Sequence, residues 1–181
     1  SQYGSAMKRK WQQIFREQQR AVQAKLDALT PRSRVSAEDL FIVNDWTAEA
    51  MSRLIPIYVA LEKDVGQHTY ASIGIEKEFI FTDAARKRIE KHAAELVTQV
   101  NQTTKRRIAK ALSDGVAEGE SIAKMAKRLD EVFGRRKRDT KTIARTEVGT
   151  GATRASIEAV KQSGSKRLKR WITARDAKVR D

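Results

Sequence analysis

The chain of 181 residues contains no cysteine, and this absence excludes several kinds of site. Disulfides, cysteine nucleophiles and zinc sites built on thiolates are all ruled out. A chain without cysteine is also typical of synthesis in a reducing compartment. We therefore expect a protein made in a reducing cytoplasm, with a fold that depends on core packing.

Proline, glycine and aromatic residues are scarce. Only 2 Pro and 9 Gly interrupt the chain, and aromatic residues make up 6% of it. The residues that dominate, Ala, Lys, Arg, Glu and Gln, favour helices. With 40% hydrophobic and 33% charged residues, the chain has a small core for its length. The composition predicts a mostly α-helical protein of long helices and helical hairpins.

No long apolar run is present either. The longest, LIPIYVAL at residues 54–61, has 8 residues, whereas a helix that spans a bilayer needs about 20. We therefore expect no contact with a membrane.

Acidic residues are spread evenly along the chain, whereas basic residues are concentrated in its second half. Residues 1–82 hold 11 Lys and Arg against 10 Asp and Glu, a net charge of +1, and residues 83–181 hold 26 against 13, a net charge of +13. Such an asymmetry indicates that one part of the molecule meets a polyanion, most often nucleic acid.

The first half contains two helical patterns. Apolar residues from Lys8 to Leu29 form one stripe, which ends at Thr30 because a residue before proline avoids the α conformation. The second pattern starts at the N-cap candidate Ser36 and contains Pro56, where we predict a kink or a break into two helices. An irregular connector follows, and its FIF triplet at residues 79–81 is either a short strand or a loop plugged into the core.

The second half is predicted to hold three helices. The first is capped by Thr82 or Asp83 and ends near Gly115, and the next starts at Ser121 and forms a hairpin with it. A loop at residues 134–139 precedes the third helix, which ends at Gly164. Small residues predict that this third helix is the central packing element of the second half: Ala144, Val148, Gly151 or Ala152, Ala155 and Ala159.

The segment after Gly164 favours an extended conformation, because Leu168, Trp171 and Ile172 lie close together. We predict a short β element near the C-terminus. No returning strand follows, so we expect the natural domain to continue beyond Asp181.

These patterns divide the chain into four parts. Residues 1–7 are interpreted as a remnant of the expression vector. We predict an N-terminal helical arm at 8–35, a helical region with the irregular connector at 36–82, and a basic domain, incomplete at its C-terminus, at 83–181.

From Leu54 onward the order of motifs resembles the head-morphogenesis family of tailed bacteriophages, the minor head proteins of the phage Mu F type. The resemblance rests on GESIAKMAKRLDEVF at 119–133, on IARTEV at 143–148 and on a small-residue helix that stops at Gly164. RWITARDAKVRD at 170–181 completes it, in the family's spacing. The residues that carry the family motif, with structural roles, are Arg145, Thr146, Glu147, Gly164, Trp171, Asp176 and Arg180. In the family a histidine follows this block, and the present chain ends before it.

The resemblance implies a protein in the interior of the virion head or the procapsid, made in the cytoplasm of the bacterial host. It also implies association with portal or capsid proteins during assembly, DNA packaging or ejection, with no catalytic residue and no cofactor. A homo-oligomer is compatible with this role.

Three basic runs are the candidate contacts to double-stranded DNA. Cations without base-reading partners bind phosphates and therefore bind without sequence specificity. The alternative without a function is a solvated linker, above all for the loop at 134–139. In addition, consecutive residues on a helix cannot all face one DNA strand. The candidate contacts are Lys105, Arg106, Arg107, Arg135, Arg136, Lys137, Arg138, Lys166, Arg167, Lys169 and Arg170.

Arg145 and Glu147 are two positions apart and need different partners. We expect structural ion pairs that join this helix to the segment at Trp171, through Arg175 or Asp176. A catalytic alternative would use Glu147 and Asp176 as paired carboxylates for metal-assisted hydrolysis. No His or Asp cluster accompanies them, so we predict no metal site.

The remaining aromatic and histidine residues have simpler interpretations. Trp171 is expected in the core, although an aromatic among cations can also stack on a base. His68 and His92 stand alone in the sequence, without a metal partner. If the first helix has no core of its own, its apolar stripe would dock on a partner protein. The residues of that docking stripe are Trp11, Ile14 and Phe15.

Two other functions stay open at this point. One is a stand-alone helical DNA-binding protein without a role in the capsid. The other is an enzyme, a nuclease or a toxin-associated domain, whose site is completed by residues that the chain lacks.

Overall fold

The computed structural model describes residues 1–29 and 36–164. In this part of the chain 86% of the residues are helical and no strand is present, which confirms the mostly α prediction. The predicted β element at Leu168, Trp171 and Ile172 lies outside the described residues. The helices are α1 (Gln2–Asp27), α2 (Ala37–Leu40), α3 (Val43–Ser72), α4 (Asp83–Ala117) and α5 (Ile122–Gln162).

The four long helices form an up-down-up-down bundle. Tyr58 of α3 bonds Glu147 of α5, and Thr69 bonds Ser156, so α3 and α5 run parallel. α1 and α5 run antiparallel, since Gln19 and Gln23 of α1 bond Asp130 and Ala126 of α5. Since α5 contacts each of the other three long helices, it is the central packing element of the whole bundle, and not only of the second half as the small-residue pattern predicted.

Most predicted helix ends agree with the structure, although the pattern that starts at Ser36 is split into two helices, since α2 ends at Leu40 and α3 begins at Val43. The hydroxyls of Ser36, Thr82 and Ser121 accept hydrogen bonds from backbone amides in the first turns of α2, α4 and α5. At the end of α5 the backbone of Gly164 has φ +66°, the left-handed conformation that stops a helix. The short connection Glu118–Ser121 closes the predicted α4–α5 hairpin. None of the described helices has an apolar stretch long enough to span a membrane.

Of the two alternatives predicted at Pro56, a kink or a break into two helices, the break is wrong, because α3 continues through this residue. A proline inside a helix removes one hydrogen bond and costs about 3 kcal/mol. Leu54, Tyr58 and Leu61 are all buried on one stripe around it. Burying side chains of this size contributes about 1.5–3 kcal/mol each, which is enough to keep the helix continuous.

The predicted loop at residues 134–139 is also wrong, because these residues lie within α5. Only Gly134 disfavours a helix in this run, and the cost of one internal glycine is about 1 kcal/mol. Phe133, Arg136 and Thr140 are buried at helical spacing. One inward ridge therefore continues through the basic run and joins the two predicted helices into one.

The first helix is not a free arm. Trp11, Ile14 and Phe15 are 0% exposed, in a core cluster with residues of α3, α4 and α5. The condition for a docking stripe, a helix without a core of its own, is not met, so these three residues offer no surface to a partner. Met7, which precedes the predicted start of the helix, is also fully buried.

The connector between α3 and α4 is the plugged loop, one of its two predicted alternatives. The ring of Phe79 is buried edge-on against Tyr70, with 5.7 Å between the centroids. Its backbone amide donates to Oε1 of Gln67 at 2.9 Å. A side-chain partner thus replaces the missing helical hydrogen bond at this position.

Candidate nucleic-acid interface and buried carboxylate cluster

Seven of the eleven predicted DNA contacts lie on α4 and α5. The other four, Lys166, Arg167, Lys169 and Arg170, lie outside the described residues. The seven differ in exposure, since consecutive helical positions point in different directions. The exposed ones are Arg106, Arg135 and Arg138, the partly buried ones are Lys105, Arg107 and Lys137, and the buried one is Arg136.

Arg136 cannot contact DNA, because its side chain is inside the bundle with a relative exposure of 4%. Its guanidinium donates to the hydroxyl of Thr104 at 3.1 Å and to the carbonyl of Val100 at 3.3 Å. A third donor reaches Oδ2 of Asp139 at 2.9 Å, and the ring of Phe15 lies 5.0 Å away. Burial lowers the pKa of Arg136, and Asp139 opposes that shift. The predicted DNA contact is therefore a structural cation that joins α5 to α4 and α1.

Three further predicted contacts already have partners within the chain. Lys137 donates to Oε1 of Gln19 at 2.6 Å. Lys105 pairs with Glu38 at 3.0 Å, and Arg107 pairs with Asp139 at 3.0 Å. Ion pairs at exposed positions contribute only about 0–1 kcal/mol. The paired cations can therefore exchange a carboxylate for a phosphate at little cost.

Arg135 and Arg138 are exposed and make no ion pair with any described residue. They lie three positions apart, so both point to the same side of α5. Among the seven predicted contacts that the structure describes, these two side chains combine exposure with the absence of an ion pair or side-chain hydrogen bond to a described residue.

An open groove between α4 and α5, called the α4–α5 groove below, contains both of them. Its volume is about 400 Å³. Three acids partly offset its cations and leave a net charge of +2. The charged residues that line it are Arg107, Lys110, Arg128, Arg135, Arg138, Asp114, Glu131 and Asp139.

Sequence reasoning missed Lys110 and Arg128. Arg128 donates to Glu120 at 2.6 Å and also pairs with Glu118, and Lys110 pairs with Asp114 at 2.9 Å. The signal was present in the spacing, because Lys110 follows Arg107 by three positions and Arg128 precedes Arg135 by seven. Both intervals return to the same side of a helix.

A second polar cluster, the Glu147 cluster, lies inside the bundle. Oε2 of Glu147 accepts a hydrogen bond from the hydroxyl of Tyr58 at 2.7 Å and lies 2.6 Å from Nε2 of His92. A carboxylate oxygen only accepts, so Nε2 of His92 donates. Beside it Arg88 pairs with Glu62 at 2.9 Å. The cluster links α3, α4 and α5 at one level of the bundle.

The cluster perturbs two protonation equilibria. Burial, followed by the hydrogen bond to Glu147, raises the pKa of Tyr58 far above its ordinary value. Burial raises the pKa of Glu62, against the lowering effect of Arg88. Tyr58 is therefore held as a neutral hydroxyl that donates to Glu147.

The structure gives Glu147 two partners that we did not predict, because its Oε2 atom contacts Tyr58 and His92. The ion pairs expected for Arg145 and Glu147 involve Arg175 or Asp176, which lie outside the described residues. His92, which stands alone in the sequence, has a partner 55 positions away. Glu147 lies at helical spacing from Ala144 and Gly151, so the pattern could have placed it on the inward ridge.

The Glu147 cluster offers little room for a substrate. The cavity lined by Tyr58, Glu62, Arg88 and His92 has a volume of about 10 Å³, which is about enough for one water molecule. Within residues 1–29 and 36–164, no group of three His, Asp or Glu side chains is arranged to hold a metal ion. The geometry is that of a structural cluster.

The other family-motif residues behave differently from Glu147. Arg145 and Thr146 are exposed on the outer side of α5, and Gly164 ends the helix. Trp171, Asp176 and Arg180 lie outside the described residues.

Comparison with known proteins supports the resemblance found in the sequence. No curated protein and no solved structure matches the chain. A family model, described as Phage Mu protein F like protein, matches residues 106–181. The match begins later than Leu54, and it covers α5, the end of α4 and every residue of the expected family motif. It indicates a phage head-related protein, and for residues 106–181 the chain is similar to the Phage Mu protein F like family.

Proposed function

We propose that this chain is a non-enzymatic minor head protein of a bacteriophage, which contacts double-stranded DNA inside the head or the procapsid. The exposed arginines of the α4–α5 groove carry the proposal. They lie within residues 106–181, the part of the chain that is similar to the phage family. The interior of a filled head is dense in DNA, so a protein there meets phosphates at high concentration.

The chemistry of the groove suits phosphate and not base recognition. Guanidinium groups match the oxygens of a phosphate, and release of counterions from DNA provides the binding free energy. An open groove of this kind has no element that enters the bases of a duplex. We therefore expect binding without sequence preference, whose strength falls steeply with salt.

Binding to two unrelated duplexes at several salt concentrations tests the proposal. Each phosphate that a cation neutralises contributes about 0.9 to the slope of log K against log salt. Replacing Arg135 and Arg138 by Gln should reduce that slope by about 1.8 for both duplexes. The matched control is Lys87→Gln with Lys91→Gln, two exposed lysines of α4 outside the groove. A slope that is flat in the wild type, or equal losses in the two variants, would contradict the proposed contact.

Association with the portal or capsid is part of the proposal and rests on the family resemblance. The stripe predicted for docking, Trp11, Ile14 and Phe15, is buried, so another surface must serve. Gel filtration of the chain with purified portal protein tests the association. A chain that binds duplexes but forms no complex at low micromolar concentration would favour the stand-alone DNA-binding protein.

The enzymatic alternative is tested by adding divalent metal ions to the chain and to a Glu147 variant. Glu147 is bonded to Tyr58 and His92, in a cavity of about 10 Å³. We expect no cleavage of plasmid DNA with added Mg²⁺ or Mn²⁺. Cleavage that disappears in Glu147→Gln would contradict this expectation.

A further inference from the structure

A second basic groove lies on the other side of the exposed face of α5, between α5 and α1. We call it the α1–α5 groove. Its volume is about 460 Å³, and it is lined by Lys8 of α1 and by Lys141 and Arg145 of α5. The groove exists because α1 packs antiparallel to α5. Gln19 of α1 donates to Asp130 of α5 at 2.6 Å, and this contact places the start of α1 beside residues 141–149.

The three cations of this groove are less compensated than those of the α4–α5 groove. No acidic residue is among the described residues that line it. Lys8, Lys141 and Arg145 are exposed, and none makes an ion pair or a side-chain hydrogen bond with a described residue. Three like charges held near each other repel, and a bound anion relieves that repulsion.

The small residues of the groove leave room for an anion. Gly149 is exposed, and a Cβ added there would meet no atom within 4 Å. Ala144, another small residue, also lines the groove. A phosphate can therefore approach the surface of α5 between the cations.

Arg135 and Arg138 line the α4–α5 groove, and Lys141 and Arg145 line the α1–α5 groove. All four are exposed on α5, so they form one row of cations on its outer face. From Arg135 to Arg145 the helix rises about 15 Å at 1.5 Å per residue. One strand of a duplex carries about four phosphates over that length. The exposed face of α5 thus has the dimensions of a short stretch of DNA backbone.

We propose that the α1–α5 groove is a second site for backbone phosphates of duplex DNA, in which Lys8, Lys141 and Arg145 are the binding residues. The inference rests on the proposed function and extends it to α1. The DNA-facing surface then spans both halves of the chain, although the first 82 residues are nearly neutral in sum. Arg145 binds phosphate from its exposed position on α5, beyond the structural role that the family motif implied.

A charge-matched pair of variants tests the site. The first carries Lys8→Gln, Lys141→Gln and Arg145→Gln, and the control carries Lys77→Gln, Lys87→Gln and Lys91→Gln. All six residues are exposed, and the three control lysines line neither groove. Both variants lose three positive charges. The slope of log K against log salt for duplex binding should fall by about 2.7 in the first variant and by less than 1 in the control.

Equal slopes in the two variants would overturn the site and leave the proposed function standing, because the contact made by Arg135 and Arg138 in the α4–α5 groove does not depend on the α1–α5 groove. A wild-type chain that binds no duplex would overturn both. A slope of log K against log salt that falls in the Arg135→Gln, Arg138→Gln variant and stays unchanged in the first triple variant would restrict the contact to the α4–α5 groove.

Lysine acetylation of the wild-type chain gives a readout that needs no substitution. Duplex DNA should protect Lys8 and Lys141 from acetylation several-fold and leave Lys87 and Lys91 unchanged. A second arm replaces the duplex by inorganic phosphate at the same ionic strength, and we expect no protection. Protection by inorganic phosphate would show that the groove binds a free anion and would overturn the assignment to duplex DNA. Absence of protection by either ligand would overturn the site.

Discussion

The inward ridge and the outward face of α5 carry similar residues with opposite roles. Arg136 and Glu147 point inward, where they are 4% and 6% exposed. Arg135 and Arg145, each one or two positions away, point to solvent. The inward charges are satisfied by residues of the other helices, whereas the outward cations make no ion pair with a described residue. The direction of a side chain on the helix, and not its type, decides whether it holds the bundle together or stays free to bind.

The largest expected effect is a difference in stability between variants of two adjacent arginines, one inward and one outward. Arg136→Ala should lower the free energy of unfolding by about 3–5 kcal/mol, since it leaves a buried polar layer without its cation. Arg135→Ala should change it by no more than about 0.5 kcal/mol. Urea denaturation of the two variants measures the difference. Similar losses in both would show that the two positions do not differ as the structure has them.

A second contrast is between Glu147 and Arg145. Glu147→Ala should cost about 1–3 kcal/mol, because the hydroxyl of Tyr58 and Nε2 of His92 lose their shared acceptor inside the bundle. Arg145→Ala should be neutral for stability and should weaken duplex binding. Thermal unfolding and duplex titration of both variants check this. A destabilised Arg145→Ala would contradict its assignment to the outer face.

Two glycines, Gly149 and Gly151, test the difference between the outward and inward sides of α5 without a change of charge. A Cβ at Gly149 meets nothing within 4 Å, while one at Gly151 lies 2.8 Å from Cδ2 of buried Leu61. Gly149→Ala should stabilise the chain by about 1 kcal/mol through helix propensity. In Gly151→Ala overpacking costs about 1–3 kcal/mol, so the same gain should be cancelled or reversed. Denaturation midpoints of the two variants give the result, and an equal gain in both would contradict the close contact.

The smallest expected effect is a pH dependence of the free energy of unfolding, caused by Tyr58 of α3, which bonds Glu147 on the inward ridge of α5. The folded state raises the pKa of Tyr58 above its unfolded value, which is about 10. Its contribution to stability is therefore complete below pH about 10 and is lost as the pH rises further. We expect the free energy of unfolding to fall by about 1 kcal/mol more in the wild type than in Tyr58→Phe between pH 9.5 and 11. Parallel curves for the two proteins would exclude Tyr58 as the cause.

Much of the fold was predictable because it is local. The caps at Ser36, Thr82 and Ser121 and the stop at Gly164 are read from neighbouring residues. The errors at Pro56 and at residues 134–139 came from treating a helix breaker and a basic run as decisive. In both places the buried residues on either side extend one packing ridge, and that burial outweighs a local cost of about 1–3 kcal/mol.

The candidate site was less predictable, because its members come together across long separations. Glu147 was singled out from its motif, but its partners lie 89 and 55 positions away. Arg136 was counted as a DNA contact because its neighbours are cations too. Lys8 was overlooked because the half of the chain that contains it is nearly neutral.

The sequence by itself determined that the chain is helical, where most helices begin and end, that the excess charge is concentrated, and which phage family its C-terminal part resembles. The first three properties follow from propensity, capping and composition, which act over a few residues, whereas the resemblance rests on the order of the motifs between residues 119 and 181. Only the tertiary structure decided which charged residues are buried and that α1 joins its cations to those of α5. The reason is that burial and neighbourhood depend on the packing of whole helices, whose free energy comes from contacts between residues far apart in the chain.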